Sequence, residues 1–168
     1  MDDYYEVIKQ QYEYKSTDNA ALFRTIRSVA EEVDWDRALA YLEQCVTEKR
    51  LAWLEKHLDE LERTDDPVLD GYRLFYEVYL GVAAPADGQI VERTETKMVT
   101  RWRNHCPTLE ACQALGLDTR QVCRKAYHGP VQAFLSRLDL RLRFERNYEA
   151  IRPHCAYCEE IISLVAPA

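Results

Sequence analysis

The stretch Gln89-Ile90-Val91-Glu92-Arg93-Thr94-Glu95-Thr96-Lys97-Met98-Val99-Thr100-Arg101-Trp102-Arg103-Asn104 is where the hydrophobic period of this chain changes. It has many β-branched residues and no Gly or Pro. Ile90, Thr94, Thr96, Met98, Thr100 and Trp102 share one parity, and Val91, Arg93, Lys97, Arg101 and Arg103 share the other. Alternation of this kind predicts a half-buried strand, long enough to need a bend or bulge.

Outward from that stretch the chain reads as helix on the N-terminal side. Tyr4–Tyr14 predicts a short helix or a loosely packed arm. Ser16-Thr17-Asp18 supplies capping residues for a helix carrying Leu22, Ile26, Val29 and Val33. Asp34 and Asp36 start the longest helix, with Leu39, Leu42, Cys45, Val46, Trp53, Leu54, Leu58 and Leu61 mostly on one side. Its phase slips near Thr47–Arg50, where a bend is expected. Pro67 opens a helix over 68–80 that is apolar nearly all round and therefore central.

On the C-terminal side, Pro107 starts a short helix stopped by Gly116. Asp118-Thr119 caps another, with a stop expected at His128-Gly129-Pro130, and a third runs from Val131 to Leu138. Strand alternation returns over 140–151, and 155–165 reads as a last strand, joined to it by a turn at Pro153. The order is α+β: a helical N-terminal half packed on a small, mainly antiparallel sheet of about three strands with short interspersed helices. One domain over 1–168 is expected, helical over 1–88, with a cysteine-rich, sheet-containing part over 89–168.

The net charge of −7 is uneven. Residues 1–88 hold 10 basic and 20 acidic residues, and residues 89–168 hold 12 and 9. An acidic chain makes a poor nucleic-acid binder. The acidic N-terminus lacks the apolar segment of a leader, and no apolar run reaches membrane-spanning length, so a cytoplasmic chain with no membrane or nucleic-acid partner is expected. Its thiols are then reduced. Five of six cysteines lie between Cys106 and Cys158.

Three chemistries fit the residues from 101 onward. Cys106, Cys112, Cys155 and Cys158 are the candidate ligands of a metal, zinc or an iron–sulfur cluster, since such a centre needs about four soft donors around one point. Alternatively Cys106 is a nucleophile at the start of the Pro107 helix, with His105, His154 or Glu159 carrying protons. Arg103 and Arg152, and also Arg146, offer bidentate forks to a carboxylate, with Asn104 and Tyr157 adding neutral hydrogen bonds. For each of these the bland alternative, a packed thiol or a surface arginine, stands beside the functional one. Tyr72, Tyr76 and Tyr79 line a pocket or, more commonly, a core.

The segments Asn104-His-Cys-Pro-Thr-Leu-Glu-Ala-Cys112, Leu115-Gly-Leu-Asp118, Val122-Cys123, Leu142-Arg-Phe-Glu-Arg-Asn147 and Tyr157-Cys-Glu-Glu-Ile-Ile162 resemble the L-2-amino-thiazoline-4-carboxylic acid hydrolase-like family. A more distant likeness is to 4-vinyl reductase-type domains, small-molecule-binding α+β modules with cysteine ligands near a final strand. The first resemblance implies hydrolysis of a C–N bond in a small cyclic amino-acid-like carboxylate. The competing expectation is a non-enzymatic small-molecule-binding or sensor module with a cysteine-ligated metal. A homo-oligomer formed through the helical half is compatible with either.

Overall fold

The alternating stretch folds as a hairpin. In the computed structural model, which describes residues 2–14 and 19–166, strand β1 (Gly88–Thr94) and strand β2 (Lys97–Trp102) pair antiparallel around Glu95-Thr96. The single strand expected over 89–104 is therefore two. A bulge between Ile90 and Glu92 shifts the register, so that Ile90 opposes Thr100 while Glu92 opposes Val99. Strands β3 (Leu142–Asn147) and β4 (Cys158–Leu164) complete a four-stranded antiparallel sheet in the order β1-β2-β4-β3. The expected hairpin of the last two strands is present, turned by residues that include Pro153.

The helices are α1 (Asp3–Glu13), α2 (Asn19–Glu32), α3 (Trp35–His57), α4 (Pro67–Tyr72), α5 (Pro107–Leu115), α6 (Thr119–Val122) and α7 (His128–Leu138). The capping residues expected for α2, Ser16-Thr17-Asp18, lie outside the described residues. Helix α1 is packed rather than a loose arm, with Tyr5 and Ile8 buried. Helix α3 runs unbroken through Thr47–Arg50, whose residues are adequate helix formers. Helix α4 continues as a π-helical segment over Arg73–Leu80, closed by Gly81 in the left-handed conformation. The stop expected at His128-Gly129-Pro130 does not occur. A π-helical segment over Cys123–Tyr127 leads straight into α7. That wide turn lies directly before Pro130, where a proline ring needs room and leaves a carbonyl without its helical donor.

The chain divides into two compact units. The first comprises residues 1–49 and 105–130 and is helical. Its core gathers Ile8, Phe23, Ile26, Leu39 and Leu42 with the buried thiols of Cys45 and Cys112. Within it α2 packs on α1 and on α5, and Arg27 Nη2 donates to the Leu115 carbonyl at 2.5 Å.

The second comprises residues 50–104 and 131–168 and holds the sheet. One sheet face carries Met98, Thr100 and Trp102 of β2, Phe144 and Arg146 of β3, and Glu160 and Ile162 of β4. Helix α4 and the inward side of α7 cover it, adding Tyr72, Phe75, Tyr76, Phe134 and Leu135 to one aromatic core. Each fully buried Leu or Phe there contributes roughly 1.5–3 kcal/mol. Two glycines permit the close packing. A methyl at Gly71 would lie 3.2 Å from Leu135 and 3.3 Å from Leu142. One at Gly88 would lie 2.4 Å from the Arg101 carbonyl and 2.8 Å from the Trp102 ring.

Candidate functional site

The covered face of the sheet holds a buried ion pair. Alternation along β4 puts Glu160 in phase with Ile162, facing the core, and across the strands Glu160 opposes Thr100 on β2 and Arg146 on β3. Its Oε1 accepts from Arg146 Nε at 3.0 Å and Nη2 at 2.7 Å, and its Oε2 accepts from the Tyr76 hydroxyl at 2.5 Å. The pair is 10% exposed on each side. Burial first, then the adjoining Glu160 carboxylate, pushes Tyr76 well above the ordinary phenol range, so Tyr76 remains a proton donor. Trp102 lies against Tyr76 with ring centres 4.7 Å apart and stacks on Tyr72 at 6.2 Å.

The opposite face presents a second polar group. Glu159 opposes Arg101 and Asn147. Its Oε2 accepts from Arg101 Nε at 2.8 Å and its Oε1 from Asn147 Nδ2 at 3.1 Å. Asn147 first and Arg101 second hold this carboxyl below its ordinary value. The Arg101 and Arg103 guanidinium groups stand 4.5 and 5.6 Å from the Tyr157 ring centre. Where β4 begins, Arg152 donates through its backbone N–H and its Nε to Cys158 Sγ, at 3.5 and 3.4 Å, and through Nη1 to the Asn104 carbonyl at 2.7 Å.

The second unit thus brings together Arg103, Asn104, Arg152, Tyr157, Cys158 and Glu159. His154 is exposed, and Cys155 is half-buried in the preceding bend. In the first unit, His105 has its side chain 67% exposed, with Nδ1 3.2 Å from Glu110 Oε1. Cys106 caps α5, its sulfur accepting from the Leu109 N–H at 3.4 Å. Burial, then neighbouring Cys123 and Cys106, pushes the Cys112 thiol up to about 12. The zinc expectation is not supported: among the described residues no group of three or more His, Cys, Asp or Glu is placed to hold a metal ion. The fork expected of Arg146 toward an external carboxylate is instead occupied by Glu160. Phase alone could have revealed that pairing, since Glu160 sits between the inward positions Cys158 and Ile162.

This α+β arrangement, four antiparallel strands with helices before and between them, is an H-NOX-like fold. The chain matches the Fe(II) unliganded form of an H-NOX protein variant from K. algicida with a TM-score of 0.52 at 9% identity, over 98% of this chain and 87% of that one. An H-NOX protein variant from S. oneidensis in the Fe(II) ligation state gives a TM-score of 0.48 at 13% identity, over 97% and 86%. No protein-family profile matches the chain. No curated protein matches it either. The thiazoline-hydrolase resemblance, and the hydrolase activity it implied, are overturned by the fold likeness to the K. algicida protein: the matching segments were short, and the architecture around them follows the H-NOX fold.

Proposed function

We propose that this chain is a non-enzymatic small-molecule-binding or sensor module. The observation that carries this reading is the likeness to an H-NOX protein over nearly its whole length. The residue chemistry agrees with it. Glu159, Cys106 and His105, the groups a hydrolase would use, are engaged in an ion pair, a helix cap and a surface contact.

Iron, bare or carried in a macrocycle, is the group the fold neighbour raises, and the residues here do not fit it. A buried iron needs a buried imidazole, thiolate or phenolate. None of the four histidines is buried. Burial pushes Cys45 up to about 11 and Cys112 up to about 12, which keeps both as neutral thiols near pH 7. Tyr76 keeps its proton and donates it in a hydrogen bond to Glu160. The ligand proposed is therefore a small organic anion, its carboxylate received by Arg103, which is exposed beside the Tyr157 ring, with Asn104 and Arg152 shaping the adjoining turn.

Thermal unfolding against a panel of small aromatic and heterocyclic carboxylates, with haemin as a separate arm, tests this. A ligand at 100-fold its Kd adds about 2.7 kcal/mol, a rise of roughly 5–11 °C for a chain of this size. Arg103→Ala is expected to weaken binding about tenfold while leaving the melting temperature of the free chain in place. A chain stabilised by haemin alone, or by no carboxylate at millimolar concentration, overturns the reading.

A further inference from the structure

We propose that Cys155 and Cys158 form a redox-active dithiol, Cys158 attacking and Cys155 resolving, that is oxidised by low-molecular-weight disulfides. The proposal is independent of the ligand reading above. Two donors converge on one sulfur: the Arg152 backbone N–H and its guanidinium Nε, at 3.5 and 3.4 Å from Cys158 Sγ. Negative charge developing on that sulfur during attack is met by a fixed cation and a backbone dipole. The guanidinium is itself held in place, because its Nη1 is anchored 2.7 Å from the Asn104 carbonyl. Cys106, by contrast, accepts from the Leu109 backbone N–H at 3.4 Å, and Cys45 and Cys112 are buried.

The resolving thiol is three positions away and is not separated from its partner by strand alternation. Strand β4 begins at Cys158, whereas Cys155 lies in the preceding bend, its N–H bonded to the Ile151 carbonyl at 3.0 Å. Both thiols are half-buried, accessible to a small reagent. A Cys-x-x-Cys spacing in a bend is within reach of disulfide geometry.

The chemistry balances without a metal. Cys158 Sγ attacks one sulfur of the reagent disulfide, its S–S bond breaks, and one small thiol leaves with the Cys158 proton. Cys155 Sγ then attacks the Cys158 sulfur of the mixed disulfide, and the second small thiol leaves with the Cys155 proton. The two cysteines are oxidised to one bridge while the reagent is reduced to two thiols.

The test uses the whole folded chain. Timed alkylation with iodoacetamide, read by peptide mass, is expected to modify Cys158 about tenfold faster than Cys155, Cys45 or Cys112. Equilibration in oxidised glutathione is expected to yield an intramolecular Cys155–Cys158 bridge reversed by reduced glutathione. Cys155→Ser is expected to stall as a glutathione adduct on Cys158, and Arg152→Gln to slow Cys158 alkylation several-fold at unchanged circular dichroism. The wild-type measurements stand even if a variant misfolds. Equal alkylation rates at Cys155 and Cys158 in the wild-type chain, or no bridge after equilibration in oxidised glutathione, overturn the proposal.

Discussion

The two units bury different things. The first buries aliphatic side chains, a few aromatics such as Phe23 and neutral thiols, and keeps its ion pairs at the surface: Arg37 is 60% exposed where it meets Asp2, and Lys125 and Asp36 are 46% and 66% exposed. The second buries a full ion pair, Arg146–Glu160, inside an aromatic core, together with the nearly inaccessible Asp70 carboxylate, which accepts from the Thr64 N–H and hydroxyl. Apolar burial is non-directional and tolerates sliding, whereas a desolvated charge demands one partner in one geometry. The second unit accordingly has the more directional core.

Four experiments break or sharpen this contrast. Arg146→Met strands the Glu160 carboxylate and is expected to cost ~3–5 kcal/mol in chemical denaturation. Combining it with Glu160→Leu should recover most of that loss, which a purely packing role for Arg146 would not allow. Phe23→Ala in the first unit is expected to cost about 3 kcal/mol or somewhat more through the cavity it leaves, with no such rescue by a second substitution. Tyr76→Phe removes one hydrogen bond to a charge and is expected to cost about 1.5–3 kcal/mol; a value near zero would show that Arg146 alone satisfies Glu160.

The fourth is pH dependence, the smallest effect. Glu159 has its folded value lowered, so its contribution is present above the ordinary carboxyl value and is lost as pH falls through the lowered one. Cys45 and Cys112 have theirs raised from 9.0 to about 11 and about 12, so their contribution is complete below 9 and is lost as pH rises through the raised values. Denaturation midpoints of Glu159→Gln and Cys112→Ala measured across pH should therefore diverge from wild type differently: the first variant loses sensitivity on the acid side, the second on the alkaline side.

Much of this architecture is legible from residue pattern. The helical start, the period change at Gln89 and the Pro107 helix follow from spacing and punctuation, because those signals are local. The β1–β2 turn was hidden because Glu95-Thr96 contains none of the Gly, Asn or Asp residues that mark a two-residue hairpin. The bulge after Ile90 then reversed the parity that alternation relies on. For the site, Arg103, Arg152, Tyr157 and Glu159 could be picked out by residue type and proximity in sequence. The Tyr76–Glu160–Arg146 network could not be assembled that way, since its members come from three elements and Tyr76 lies 84 positions from Glu160.

The π-helical turns over Arg73–Leu80 bear on how this chain tolerates insertion and deletion. A π segment holds one residue more than the α-helical turn it replaces. Removing a single residue from this stretch would let the backbone relax to α-helix while the turns on either side keep their faces, whereas the same deletion in a plain α-helix would swing every side chain beyond it by about 100° about the axis. The segment over Arg73–Leu80 is therefore where this helix holds a spare residue, and a change of length is absorbed there more readily than anywhere else along it.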